Sequence, residues 1–226
     1  MRRTFQGTMK MLWLDVRTSV FVMWGILLAI YAFLAFISLR SENVQMNVAG
    51  LSPLHIYMFV IGIVGLKETS AYAIGMSVRR TDYYLAVFAL AAFLSVAFGL
   101  VCSAAAALEA AWFDGPNVIF RLFRMDGFES LAFGDAWFSH SVLFLLTYLL
   151  GWNLALLHRR FGQFSLYALA GLAILIIALI HRFNGWGPID EFFFSVEDAL
   201  ETALWALVPT AALAASAYAL IRRIRG

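Results

Sequence analysis

The sequence predicts an all-α membrane protein with six transmembrane helices. Of its 226 residues, 63% are hydrophobic and 13% are charged, whereas soluble domains are about 45–50% apolar and about 25% charged. A hydrocarbon core about 30 Å thick needs roughly 20 apolar helical residues. Six segments meet or approach that length: residues 18–38, 53–74, 83–111, 136–157, 164–180 and 199–221. We therefore expect a single transmembrane domain over residues 1–226.

Ahead of the first span, residues 1–17 are predicted to form an amphipathic helix. Its apolar positions recur at helical spacing: Phe5, Met9, Leu12, Trp13 and Val16. Arg3, Lys10 and Arg17 fall on other faces. This pattern is typical of a helix that lies on the inner membrane surface. The apolar segment that follows has no small-residue cleavage site, so we expect a retained first span and not a signal peptide.

Lysine and arginine residues predict the orientation. With the N terminus inside, the cytoplasmic segments hold twelve of the sixteen basic residues: Arg2, Arg3, Lys10, Arg17, Lys67, Arg79, Arg80, Arg159, Arg160, Arg222, Arg223 and Arg225. The outer side holds the other four: Arg40, Arg121, Arg124 and Arg182. Cytoplasmic loops of membrane proteins carry such an excess. We therefore expect a multi-pass protein with both termini in the cytoplasm.

The outer loops differ in character. The first is short, at residues 39–52, whereas the second, at residues 112–135, mixes six aromatic side chains with charges. The third, at residues 181–198, contains Gly-Trp-Gly-Pro followed by Glu-Phe-Phe-Phe. Aromatic rings favour the headgroup level. The pattern fits either re-entrant or interface-lying elements, or an aromatic belt on ordinary loops.

The sequence offers no catalytic, cofactor-binding or metal-binding motif. It contains neither a Gly-x-Ser-x-Gly elbow nor a Walker A loop. The histidines His55, His140, His158 and His181 have no His-x-x-x-His spacing, and Cys102 is the single cysteine. The basic residues flank the spans and form no stripe, so a nucleic-acid partner is not expected. We expect no enzymatic activity in this chain and no cofactor.

Four ionisable residues lie in or beside the predicted spans. Lys67 and Glu68 fall in the inner leaflet of the second span. They fit either a charged pair that faces the bundle or a lysine that reaches the headgroups with the glutamate beside it. Glu109 and Glu201 fall near outer helix ends. Each fits either the lining of an exit vestibule or simple solvation at the interface.

Small residues recur at every fourth position in two spans. The third span carries Ser95, Gly99, Ser103 and Ala107, and the sixth carries Thr202, Ala206, Thr210 and Ala214. Such faces allow close approach of helix backbones in membranes. The pattern serves equally for packing within one chain and for contact between two copies.

The segment between the second and third spans is short and basic. Residues 71–84 read AYAIGMSVRRTDYY. Gly75 can end the second helix in a left-handed conformation, and Asp82 is favourable in the first turn of the third. Arg79 and Arg80 form an adjacent basic pair that faces the cytosol in the predicted orientation. In this motif, and in the layout of the whole chain, the sequence resembles the membrane subunits of bacterial type-2 ABC exporters.

The resemblance implies a function and partners. It implies a cytoplasmic coupling helix formed by Gly75, Met76, Ser77, Val78, Arg79, Arg80, Thr81 and Asp82, pressed by a separate ATPase subunit. Residues 1–17 would be the connecting helix of the family. The subunit would lie in the bacterial cytoplasmic membrane with a second copy or a related membrane subunit. The apolar spans favour a hydrophobic or amphipathic substrate. The loop at 112–135 is not a family feature, and the motif covers only residues 71–84.

Two other functions are compatible with the sequence. A non-transporting sensor, immunity or assembly protein has the same hydrophobicity, and the arginine pair would then be an ordinary positive flank, as at Arg159 and Arg160. A secondary transporter would usually have discontinuous helices and polar residues at the membrane midplane. The chain shows neither clearly.

Overall fold

The computed structural model is a helical bundle. It describes residues 2–40, 44–47, 51–75, 79–113, 118–121, 123, 132–182 and 199–223. Within these ranges the helices are α1 (Arg2–Arg40), α2 (Leu51–Gly75), α3 (Arg80–Phe113), α4 (Phe133–Phe161), α5 (Gln163–Arg182) and α6 (Ala199–Arg223). Every predicted span lies on one of them. The helical fold predicted from the apolar runs is therefore confirmed.

Five of these helices are long and apolar enough to cross a membrane. The qualifying stretches in the described residues are Phe5–Ile37, Arg80–Ala111, Phe133–Phe161, Gln163–Arg182 and Leu200–Arg222. α2 contributes a shorter apolar stretch, Leu51–Gly65. The chain is thus built as a multi-pass membrane protein. Whether α2 also crosses the membrane, which would bring the number of spans to six, stays a prediction.

The N-terminal segment and the first span form one continuous helix. α1 has 39 residues, which gives a length of about 58 Å at 1.5 Å per residue. Its buried stripe runs through the predicted boundary at residue 17, with Leu12 and Val16 before it and Val20 and Leu27 after it. Neither a proline nor a change of face interrupts the helix there. The separate connecting helix expected over residues 1–17 is therefore not seen as an independent element.

α4 is the central helix of the bundle. It packs against α2, α3 and α6, while α1 packs along α3 and α5 packs against α4. Ten residues of α4 are buried: Ser139, His140, Val142, Phe144, Tyr148, Leu149, Gly151, Trp152, Asn153 and Leu156. The core therefore lies around α4.

Two pairs of rings show that α1 and α3 run in the same direction. The ring centroids of Trp13 and Phe93 are 5.9 Å apart, and those of Trp24 and Phe98 are 5.2 Å apart. The residue numbers rise together along the two helices. The N-terminal turns of α1 therefore lie beside the first half of α3.

α4 runs against α3 and alongside α6. Tyr84 near the start of α3 stacks on Trp152 late in α4, and Trp137 early in α4 donates to the Val96 carbonyl farther along α3. The α4 residue Asn153 donates to the Leu213 carbonyl of α6. The start of α3 and the ends of α4 and α6 thus meet at one end of the bundle. We call it the basic end, because Arg79, Arg80, Arg159, Arg160 and Arg222 are exposed there.

A short two-stranded sheet lies at the opposite end. β1 (Val44–Asn47) pairs in parallel with β2 (Val118–Arg121), with Val44 opposite Val118 and Asn47 opposite Arg121. The sequence analysis placed both segments in outer loops and predicted no strand. Pairing satisfies backbone N–H and C=O groups that a loop would otherwise leave to water. Apart from this pair, the all-α prediction holds for the described residues.

Candidate functional site at the basic end

The predicted coupling segment is only partly described. Gly75 ends α2, and the exposed Arg79 immediately precedes α3. Thr81 is exposed and Asp82 is half-buried in the first turn of α3. The remaining predicted residues, Met76, Ser77 and Val78, lie outside the described residues. The coupling helix stays a prediction. The structure does describe the contacts of the residues at the start of α3.

Arg80 joins the start of α3 to the end of α6. Its Nη1 donates to the carbonyl oxygen of Arg222, at a distance of 3.3 Å. Carbonyl groups in the last turn of a helix lack partners within the helix and carry partial negative charge. The guanidinium of Arg80 therefore meets a favourable acceptor at the C-terminal end of α6.

Tyr84, one turn farther along α3, links three helices. Its hydroxyl donates to the Ala214 carbonyl of α6 at 3.0 Å. Its ring stacks on Trp152 of α4 at a centroid distance of 5.5 Å and meets Tyr218 of α6 edge-on at 5.2 Å. Aromatic pairs at such distances add stabilisation beyond area burial. The guanidinium of Arg222 lies 5.6 Å from the Tyr218 ring centroid. We call Tyr84, Trp152 and Tyr218 the aromatic cluster.

A polar link between α4 and α6 lies beside the aromatic cluster. Asn153 donates from Nδ2 to the Leu149 carbonyl at 2.8 Å and to the Leu213 carbonyl at 3.0 Å. Its Oδ1 accepts from the Ser216 hydroxyl at 2.5 Å. Side-chain amides that bond across helices hold membrane bundles together. Asn153 was not among the predicted site residues, although an asparagine inside an apolar span was itself a signal.

The predicted amphipathic face of the N-terminal segment contacts α3. Leu12 and Val16 are buried, while Phe5, Met9 and Trp13 are partly buried against the core. Part of this face forms one wall of a groove of about 420 Å³, lined by Phe5, Gln6, Met9, Lys10 and Trp13 of α1 and by Leu90 and Phe93 of α3. The apolar face therefore packs lengthwise on a neighbouring helix. The expected position on the inner membrane surface stays a prediction.

The small residues of α3 lie inside the bundle. Ser95, Gly99 and Ser103 are buried, whereas Ala107 is exposed. A Cβ on Gly99 would collide with the Ser141 hydroxyl of α4 and lie 3.0 Å from the Ser141 backbone nitrogen. Gly99 therefore serves packing within one chain and not contact between two copies.

At the opposite end, Glu109 is fully buried and holds the backbone of Phe123. The Phe123 N–H lies 3.2 Å from one carboxylate oxygen and 3.1 Å from the other. The Phe123 ring lies 5.6 Å from that of Tyr31 in α1. Interfacial solvation and a vestibule lining are therefore both wrong for Glu109, because protein surrounds its carboxylate. Glu201 is exposed at the start of α6, which fits both predicted roles.

Among the side chains that the structure describes, the remaining ionisable residues form no recognisable catalytic or metal-binding arrangement. His55 and His140 both pack on Phe144, at centroid distances of 4.6 Å and 6.4 Å. Within the described residues, no group of three or more His, Cys, Asp or Glu side chains could hold a metal ion. The side chains of Lys67 and Glu68 lie outside the described residues. The connected polar and aromatic contacts at the basic end are thus the best candidate for a site of action.

Comparisons with protein-family models, with curated proteins and with solved structures gave no match.

Proposed function

We propose that this chain is the membrane subunit of an ABC exporter, coupled at its basic end to an ATPase on a separate chain. The observation that carries the proposal is the double attachment of the first turns of α3. Arg80 bonds to the end of α6, and Tyr84 packs on both α4 and α6. A partner that displaces the segment before α3 would therefore move more than one helix.

The contacts give a route for such a displacement. A push on the turn at Arg79 passes to α6 through the Arg80 bond and to α4 through the ring of Tyr84. The Asn153 amide ties α4 to α6, so that these two helices would respond as a unit. Arg79 itself is exposed. Its planar guanidinium suits a carboxylate on the partner, which it can bind with two hydrogen bonds.

The proposed assembly pairs two membrane subunits, either two copies of this chain or this chain and a related one, with two ATPase chains. Large apolar side chains cover the outside of α1 and α5, including Phe33 and Ile174. They suit contact with lipid or with another membrane subunit. The apolar and aromatic composition of the spans favours a hydrophobic or amphipathic substrate over an ion. The proposed place of action is the bacterial cytoplasmic membrane.

The test is a comparison of two charge reversals at the same end of the bundle. Arg79→Glu changes the proposed contact without touching the Arg80–Arg222 bond, and Arg160→Glu makes the same change at the end of α4. Each tagged variant is purified in mild detergent from its native host, and vanadate-sensitive ATP hydrolysis in the eluate is measured. We expect the wild type and Arg160→Glu to retain the ATPase and Arg79→Glu to lose most of it.

A photo-crosslinking amino acid at position 79 identifies the partner in the same preparation. The crosslinked protein should carry a Walker A loop. If well-expressed wild-type protein brings down no nucleotide hydrolase, the exporter proposal fails. A crosslinked protein that binds no nucleotide would instead favour the sensor, immunity or assembly function.

A further inference from the structure

The groove between α1 and α3 is open to the outside of the bundle and lined mainly by apolar side chains. Met9 and Trp13 form part of one wall, and Leu90 and Phe93 form the other. Its volume of about 420 Å³ lies in the range of ligand pockets, roughly 300–1,000 Å³. The Trp13 and Phe93 rings meet edge-on at 5.9 Å at the far end from the N terminus. The floor of the groove is thus apolar and one end is narrowed by two rings.

Among the described lining side chains, Lys10 is charged and Gln6 is polar. Lys10 is exposed at the rim. Side chains of a helix lean toward its N terminus, and the N-terminal turns of α1 lie toward the basic end of the bundle. A lysine stem can lie along apolar surface while its ammonium reaches the headgroups. The groove surface itself is almost wholly apolar, so that the stems of Lys10 and Gln6 line it and their polar heads extend past its rim.

We propose that this groove binds the first part of an acyl chain of an anionic phospholipid, whose phosphate contacts Lys10. The chain lies between Met9 and Leu90 and ends at Trp13 and Phe93. The amide of Gln6 donates to a phosphate or glycerol oxygen. Charge complementarity selects an anionic headgroup, because a zwitterionic lipid brings a second cation to the rim. The site is independent of the proposed ATPase coupling.

The experiment is a lipid titration of the purified full-length chain, followed by native mass spectrometry. Phosphatidylglycerol and phosphatidylcholine with identical chains are compared on the wild type, Lys10→Gln and Arg17→Gln. Arg17 is an exposed cation on the same helix that does not line the groove. Lys10→Gln should weaken phosphatidylglycerol binding about fivefold, since one lysine near an anionic membrane surface contributes about 1 kcal/mol. Arg17→Gln should leave it unchanged.

A second variant tests the groove itself. Phe93→Ala removes an exposed ring from the groove wall and should weaken both lipids, with size-exclusion profile and helix content checking the fold. Phosphatidylglycerol with a photoactivatable acyl chain should label peptides that contain Met9 or Leu90. Equal loss of binding in Lys10→Gln and Arg17→Gln, no loss in either, or labelling confined to other helices would overturn the proposal.

Discussion

α4 and α5 are neighbours in the sequence but not alike in the bundle. A single residue, Gly162, separates them, at a φ of 72° with its N–H donated to the His158 carbonyl. α4 packs against three other helices in addition to α5 and buries ten residues, whereas none of the described side chains of α5 is buried. On α5, Phe164 and Tyr167 are 81% and 72% exposed.

The difference follows from where the polar residues lie, since α5 carries small residues such as Gly171 as well. Between its termini, α4 contains Ser139, Gly151 and Asn153, while the interior of α5 is a nearly unbroken run of Leu, Ile and Ala. In lipid, apolar side chains gain nothing by leaving the hydrocarbon, so small residues and hydrogen-bonding groups decide which helices meet. The less apolar helix is therefore the central one. The comparison can be tested with substitutions on the two helices.

The largest effect is expected at Gly151 of α4. A Cβ at this position would collide with the Phe59 carbonyl of α2, whereas a Cβ on Gly171 of α5 would meet nothing within 4 Å. Gly151→Leu should force α2 and α4 apart and destabilise the protein by about 3 kcal/mol or more, while Gly171→Leu should be neutral. Thermal melting of the two variants in detergent, followed by size-exclusion chromatography, measures this. Equal melting temperatures would mean that α2 and α4 are not in contact as described.

A medium effect is expected from the polar link between α4 and α6. Asn153→Leu removes the bonds to the Leu213 carbonyl and to Ser216. Interhelical bonds in membranes contribute about 0.6 kcal/mol on average and up to about 1.7. A double-mutant cycle with Ser216→Ala, measured by unfolding in mixed micelles, should give a coupling free energy in that range. A coupling energy of zero would show that the two side chains act independently.

The smallest effect is expected from one hydroxyl group. Tyr84→Phe keeps the ring stacked on Trp152 but loses the bond to the Ala214 carbonyl. This is a single interhelical bond, which contributes about 0.6 kcal/mol on average, whereas Asn153→Leu removes two such bonds. Tyr167→Phe removes the same group from an exposed ring on α5 and should change nothing. The unfolding midpoints of the two variants are compared. A larger loss of stability in Tyr167→Phe than in Tyr84→Phe would contradict the description of Tyr84 as bonded and of Tyr167 as exposed.

The sequence predicted the helices well and their neighbours poorly. Apolar runs bounded by charged residues, such as the one ending at Arg159 and Arg160, fixed the helix limits within a few residues, because the membrane imposes a length. The same runs hold no information on which helix lies at the centre. The four-residue spacing of Ser95 and Gly99 correctly predicted a close-packed face on α3. It did not indicate that α4 is the helix packed against that face.

At the candidate site, the sequence showed the pair Arg79 and Arg80 but did not show that Arg80 bonds to the end of α6. Arg80 bonds to a backbone carbonyl more than a hundred residues away, and a carbonyl group carries no residue-specific signal. The bond between Glu109 and the Phe123 N–H was missed for the same reason. The continuity of α1 was missed because a change from mixed to apolar composition was taken for a break in the helix.

α3 is longer than a bilayer is thick. Its 34 residues span about 51 Å, and an average tilt of about 20° shortens its rise by only about 3 Å. A helix of that length extends beyond a hydrocarbon core about 30 Å thick at one end or at both. Residues of α3 therefore reach the headgroup region or the water beyond it, where an antibody fragment that recognises the folded bundle could bind.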